Sequence, residues 1–314
     1  MRAMRTAVPD TTRNVAPDAA PITPLYAAPN ASHPAPLPAA PASAVALRQL
    51  RQQRRISQLE LSLRVGVSQR HLSCIETGRA RPSREMLHAL LDALDAPLAH
   101  RNDILLAAGY APAYPRRALA DAELAPVRAA LAHLLAAHDP APALVMDDAW
   151  NLLQGNRGLQ ALMGLLGPLG PLGGPLRAPA GNLNFLRALL APGGLASALV
   201  DPLPVCAEVW QRAQREAVHS PALRALCDEL RPQLPRRLLT PAPDRAAAAP
   251  LLETALRTVD GDVLRFFSVF TTFGAPLDVT VASLRVEHFF PADDATRQRM
   301  VQAVAVLAPP PATA

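Results

Sequence analysis

Residues 56–79 read Ile56-Ser57-Gln58-Leu59-Glu60-Leu61-Ser62-Leu63-Arg64-Val65-Gly66-Val67-Ser68-Gln69-Arg70-His71-Leu72-Ser73-Cys74-Ile75-Glu76-Thr77-Gly78-Arg79. Ser57 and Glu60 have the S-x-x-E spacing of a capping box, in which hydroxyl and carboxylate each satisfy an orphan backbone N–H at a helix start. Leu61 and Val65 continue the buried face of that helix, and Gly66 supplies the left-handed residue that ends it. Ser68 is placed to cap a second helix, whose Leu72 and Ile75 face inward at i, i+3 spacing before Gly78 closes it. The stretch predicts two short helices joined by a tight turn.

The pattern extends on both sides. Upstream, Leu47 and Leu50 mark one face of a helix ending near Arg55. Downstream, Ser83 opens a helix in which Leu87, Leu90, Leu91 and Leu94 form one stripe. Asp95 and Pro97 end it, and Leu98 to Ala108 reads as a fifth helix stopped by Gly109 and Pro112. Residues 44–112 are thus expected to be an all-α domain of five short helices. A helix pair joined around Gly66 has the helix-turn-helix geometry, whose second helix lies in the DNA major groove.

Charge follows the same division. All 31 basic residues are arginine, a bias of GC-rich bacterial coding sequence that lowers the weight of any single arginine. Residues 44–117 carry 12 arginines against six acidic residues, whereas residues 118–314 carry 16 against 18. A local excess of this kind is the electrostatic footprint of phosphate binding. Cys74, Cys206 and Cys227 have no CxxC spacing, which argues against a disulfide framework and against zinc. With no apolar h-region after the arginines of residues 1–14 and no run of about 18 apolar residues, the chain reads as soluble and cytoplasmic.

Residues 1–43 hold nine prolines without helical or strand period and are expected to be a disordered tail, as are residues 304–314. Between them, residues 115–303 mix helices and strands. Ala122–Ala137, Asn184–Leu190 and Val205–Leu230 read as helices. Ala143–Met146 and Trp150–Leu153 read as strand, turn and strand around Asp147-Asp148. Gly164–Pro179 and Pro232–Pro250 read as loops. Leu251–Thr258, Val263–Phe273 and Leu277–Phe290 suit a pleated surface. In the last, the apolar positions change phase at Ala282-Ser283, which predicts a β-bulge or bend.

The positions Leu50-Arg51, Ile56 to Leu61, Gly66 to Arg70, Leu72-Ser73, Ile75 to Arg79 and Pro82-Ser83 together resemble the phage-repressor-like (Cro/C1, XRE-type) helix-turn-helix family over about 60 residues. The resemblance implies that Gln58 and Ser68 sit against phosphate, that Gln69, Arg70 and Ser73 enter the major groove with His71 beside them, and that Arg79 and Arg81 hold phosphates. Gln suits adenine and Arg suits guanine; a further phosphate contact is the alternative for Arg70, and a solvated charge for Arg81. It also implies that Arg51 and Glu76 form a partly buried ion pair. Cys74 is either a passive small residue or a thiol sensor.

A second resemblance rests on Leu105 to Pro112, Met146 to Asn151 with Asn156, Asn184 to Arg187, Pro192 to Leu195, Phe266 to Ser268, Thr272 to Gly274, Pro276 to Thr280 and Phe289 to Asp293. Together these look like the MmyB-like ligand-binding domain, a PAS-like α+β module found behind this kind of reading head. It implies an apolar pocket of fatty-acid character, for which Trp150, Asn156, Trp210, Phe267 and Phe273 are the candidate lining; plain core is the alternative for each. Ala191 and Gly193 stand where relatives often carry polar residues. No G-x-S-x-G, G-x-x-x-x-G-K-[ST] or H-E-x-x-H signature occurs, so no catalytic residue, metal or cofactor is expected. The expected partners are double-stranded DNA with a pseudo-palindromic operator, a second copy of the chain, and a small hydrophobic ligand. The alternative makes residues 115–303 a protein-interaction module, as in an antitoxin or phage-type repressor.

Overall fold

The structure, a computed structural model, describes residues 40–167, 183–239 and 252–307. The expectations for residues 1–39, 168–182, 240–251 and 308–314 lie outside these.

Five helices form the N-terminal region: α1 (Ala42–Gln53), α2 (Gln58–Val65), α3 (Gln69–Glu76), α4 (Arg84–Ala93) and α5 (Leu98–Ala107). Ser57, Ser68 and Ser83 accept hydrogen bonds from the backbone N–H groups of Glu60, His71 and Met86 at 3.0, 3.1 and 3.1 Å. Each such cap is worth about 1 kcal/mol. Gly66 ends α2 at φ 75°, in the left-handed region that residues with a Cβ avoid. The capping box is half formed, because the Glu60 carboxylate turns to Arg64 Nη2 at 2.6 Å rather than back to Ser57. A charge-assisted bond one helical turn away is stronger than one to a neutral N–H. Leu47, Leu61, Leu72, Ile75, Leu90 and Leu105 are buried in the common core of this region.

The C-terminal region is α+β, as expected. It comprises α6 (Ala125–His138), β1 (Ala143–Met146), β2 (Leu152–Gly155), α7 (Arg157–Leu166), α8 (Phe185–Leu190), α9 (Pro202–Glu216), α10 (Pro221–Leu230) and α11 (Arg236–Leu239). Then follow β3 (Thr254–Arg257), β4 (Val263–Thr271), α12 (Val279–Ser283), β5 (Arg285–Pro291) and α13 (Asp294–Val306). The strands make one antiparallel sheet in the order β2-β1-β5-β4-β3. Alternation decides what each face meets. Val145, Leu284 and Val286 pack with Leu131 and Leu135 of α6, while Leu144, Met146, Leu264, Phe266 and Phe289 face the other helices.

Several sequence expectations need correction. The segment 277–290 is not one bulged strand: Asp278 Oδ1 accepts Thr280 N–H at 2.8 Å and starts α12, and Thr280 Oγ1 reaches Arg117 O at 2.6 Å, so the phase change is a turn of helix. Val205–Leu230 is two helices, since Pro221 disfavours helical backbone at Ser220 and Ser220 Oγ instead caps α10 through Leu223 N–H at 3.2 Å. Helix α7, capped by Asn156, begins between the segments that read as strand and as loop and runs into the latter as far as Leu166, and α13 runs to Val306, past the expected start of a tail at 304. Among the described residues, no helix is long and apolar enough to cross a membrane.

Candidate functional site

Helix α3 exposes Gln69, Arg70 and His71, leaves Ser73 and Cys74 half-buried, and turns Leu72, Ile75 and Glu76 inward. The exposed set makes up the first turn of the helix, beside the positive end of its dipole. Ser68 is exposed too, its hydroxyl already engaged as the cap. Arg70 and Arg79 are exposed, and among the described residues neither side chain makes an ion pair.

The other two residues expected on phosphate have partners inside the fold. Arg81 Nη2 donates to Ala108 O at 3.0 Å, with the guanidinium 5.4 Å from the Tyr110 ring centre, so Arg81 caps the C-terminal end of α5. Gln58 Nε2 donates to Glu76 Oε2 at 2.8 Å. That carboxylate also receives Arg51 Nε on Oε1 at 2.6 Å and Arg51 Nη2 on Oε2 at 2.9 Å, and Arg51 Nη1 reaches Ile56 O at 2.8 Å. Burial works to raise the Glu76 pKa, but the hydrogen bonds from Arg51 and Gln58 prevail and hold it below the usual carboxylate range. The pair fixes α3 against α1 and α2.

A second feature lies between the sheet and helices α7, α8 and α9: a cavity of about 660 Å³, walled by Leu144, Met146, Leu162, Phe185, Val209, Phe270 and Phe289 among others. One part of its wall is charged. Glu216 Oε1 accepts Arg212 Nε at 2.9 Å, and Glu216 Oε2 accepts Trp150 Nε1 at 2.7 Å and Arg285 Nη1. The Arg212 guanidinium carbon lies over the Phe270 ring, 3.4 Å from its centre, and 5.3 Å from that of Trp150. Glu287 lies beside them, buried, and burial pushes its pKa up to about 7 against the attraction of Arg212.

Of the five expected lining residues, Trp150 alone is in the cavity wall. It is held at φ 66°, an unusual value for a bulky residue. The Asp147-to-Asn151 motif accounts for this: Asp147 Oδ1 accepts the N–H groups of Ala149 and Asn151, both at 2.9 Å, and Asn184 Nδ2 reaches Ala149 O at 2.7 Å. Asn156 is a buried cap, its Oδ1 accepting Leu159 and Ala143 N–H at 2.9 Å. Trp210 is fully buried in the core behind the wall. Phe267 stacks on Phe290 at 5.3 Å on the opposite sheet face, and Phe273 packs with the α6 cluster. The reason is parity: in β4 the even positions Ser268 and Phe270 face the cavity and the odd ones do not. Arg212, Glu216, Arg285 and Glu287 went unnoticed in the sequence. The available signal was in β5, where Arg285, Glu287 and Phe289 alternate on the cavity face.

Comparison with known proteins follows this division. A helix-turn-helix domain model matches residues 44–104, and the model of the MmyB-like transcription regulator ligand binding domain matches residues 127–302. No curated protein matches the chain. Among solved structures, the clp gene regulator ClgR from C. glutamicum is 35% identical, with 22% of this chain and 86% of that one covered and a TM-score of 0.20. An RNA-binding light-oxygen-voltage receptor is 16% identical, with 84% of this chain and 64% of that one covered and a TM-score of 0.24. The chain belongs to the family with an MmyB-like transcription regulator ligand-binding domain and, with the helix-turn-helix domain ahead of it, is a DNA-binding transcription regulator.

Proposed function

We propose that the protein is a ligand-responsive regulator that binds a pseudo-palindromic operator as a homodimer and holds a small hydrophobic, fatty-acid-like molecule in the cavity beside Trp150. In this reading Gln69, Arg70 and Ser73 meet base edges, His71 lies alongside, and Arg79 neutralises phosphate. The observation that carries the sensing half is the cavity itself. Its volume of about 660 Å³ is within the usual span for small-molecule sites, roughly 300 to 1,000 Å³, and its wall is apolar with one charged patch around Arg212 and Arg285. Long apolar tail and polar head match that division.

Native mass spectrometry of the purified full-length chain tests the proposal. A co-purifying small amphiphile at a stoichiometric mass increment is expected. A ligand-free chain carrying a stoichiometric protein partner would favour the protein-interaction reading instead.

A further inference from the structure

Glu216 is the last residue of α9, and the turn that follows it, before α10, carries His219. His219 lies against His100 of α5, with ring centres 5.2 Å apart and ring planes at 65°. The turn between is stiff. His219 N–H donates to Glu216 O at 2.9 Å, and Arg224 holds Ala217 O and Val218 O at 3.2 and 2.9 Å.

Arg285, the partner of Glu216, is at the start of a second route. It follows α12 almost directly, and α12 is tied to the segment after α5: Val279 N–H donates to Pro115 O at 2.9 Å, and Arg117 pairs with Asp278 at 3.0 Å. Buried Asn102 of α5 holds that segment, donating to Tyr114 O at 2.7 Å and accepting Ala113 and Tyr114 N–H at 3.0 and 3.1 Å. One ion pair in the cavity wall therefore joins two segments that bear on α5. Helix α5 in turn packs against α1 and α4, in the core that supports α3.

We propose that the Glu216–Arg285 pair is the joint through which the cavity is coupled to the DNA-binding region. A ligand head that hydrogen-bonds Arg212 or Arg285 competes with Glu216 for them, and the α9–α10 turn and α12 are then no longer held to one another. The contacts of His219 and α12 with α5 loosen together, which gives the two arrangements that any coupling between sites requires. This rests on the ligand-sensing reading, but its test needs no ligand.

Hydrogen exchange read by mass spectrometry on the full chain compares wild type, Glu216→Gln and Glu229→Gln. Glu229 is a suitable control because its pair with Arg187 is on the surface of the same region, half exposed. Glu216→Gln is expected to speed exchange several-fold in residues 98–107 and 279–283, while Glu229→Gln leaves both at wild-type rates. Faster exchange confined to residues 212–220, with 98–107 unchanged, overturns the proposal. If Glu216→Gln unfolds the C-terminal region, His219→Ala carries the test in reverse, since it leaves the cavity wall intact. Altered exchange at 285–291 in that variant supports the joint, and wild-type exchange there refutes it. Absence of a co-purified ligand would count against sensing alone, so the two failures are distinguishable.

Discussion

Gln58 and Glu76 are joined by a 2.8 Å hydrogen bond on the carboxylate that Arg51 grips with two nitrogens. The side-chain exposures of Arg51 and Glu76, 10% and 1%, make this a desolvated pair. Glu76→Gln or Arg51→Met is expected to cost about 3 to 5 kcal/mol in chemical denaturation, because the remaining charge stays buried. The double variant Arg51→Met/Glu76→Leu should lose clearly less than the sum. Gln58→Ala should cost about 1 to 2 kcal/mol. A negligible loss for Glu76→Gln would mean that the pair does not hold α3.

The same network sets a limit at acid pH. Because Glu76 is held below its ordinary pKa, its contribution is fully present above the unfolded value and is lost as pH falls through the lower folded value. Thermal melting of the wild type should therefore fall more steeply below the ordinary carboxylate range than that of Glu76→Gln. Parallel profiles would contradict this.

On DNA, Arg70→Ala is expected to cost about 1 to 3 kcal/mol and to relax base preference at one position, whereas Arg79→Ala weakens binding to all sequences and lowers the salt slope by about 1. Binding titrations on selected and random duplexes at several salt concentrations separate these. Equal losses for Arg70→Ala on both duplexes would move base reading to other residues.

Most of the N-terminal region was legible because its signals are local. Ser57, Ser68, Ser83 and Gly66 act within a turn of their own positions, so caps and spacing suffice to place α2, α3 and α4. The intramolecular partners of Gln58 and Arg81, Glu76 and Ala108, were not legible because they are far along the chain. In the C-terminal region an aromatic residue does not reveal its sheet face. Phe267 and Phe270 are three apart and lie on opposite faces, so composition could not separate lining from core. The charged patch was less legible still, since Trp150, Glu216 and Arg285 come together from three separate elements.

That division of faces is testable by substitution. Met163→Trp, in the cavity wall, should abolish binding of palmitate measured by calorimetry while DNA affinity without palmitate is kept. Phe267→Ala, on the opposite face, should leave palmitate binding unchanged. The reverse pattern would place the ligand outside the cavity.

Glu287 adds a dependence near neutrality. Its folded pKa is raised to about 7 by burial, so its stabilising contribution is fully present below the ordinary carboxylate value and is lost as pH rises through about 7. Glu287→Gln removes this titration. The difference in melting temperature between Glu287→Gln and wild type should grow as pH rises from the ordinary carboxylate range to about 7 and level off above it, and a difference constant with pH would contradict the assignment.

If the cavity and α3 belong to one ligand-responsive switch, DNA affinity must respond to an occupant of the cavity. The duplex is one recovered by selection from a random pool, and the full chain is titrated onto it with and without saturating palmitate. A several-fold change in affinity with palmitate is expected, and it should disappear in Met163→Trp. Identical affinities with palmitate demonstrably bound in the cavity would contradict the switch.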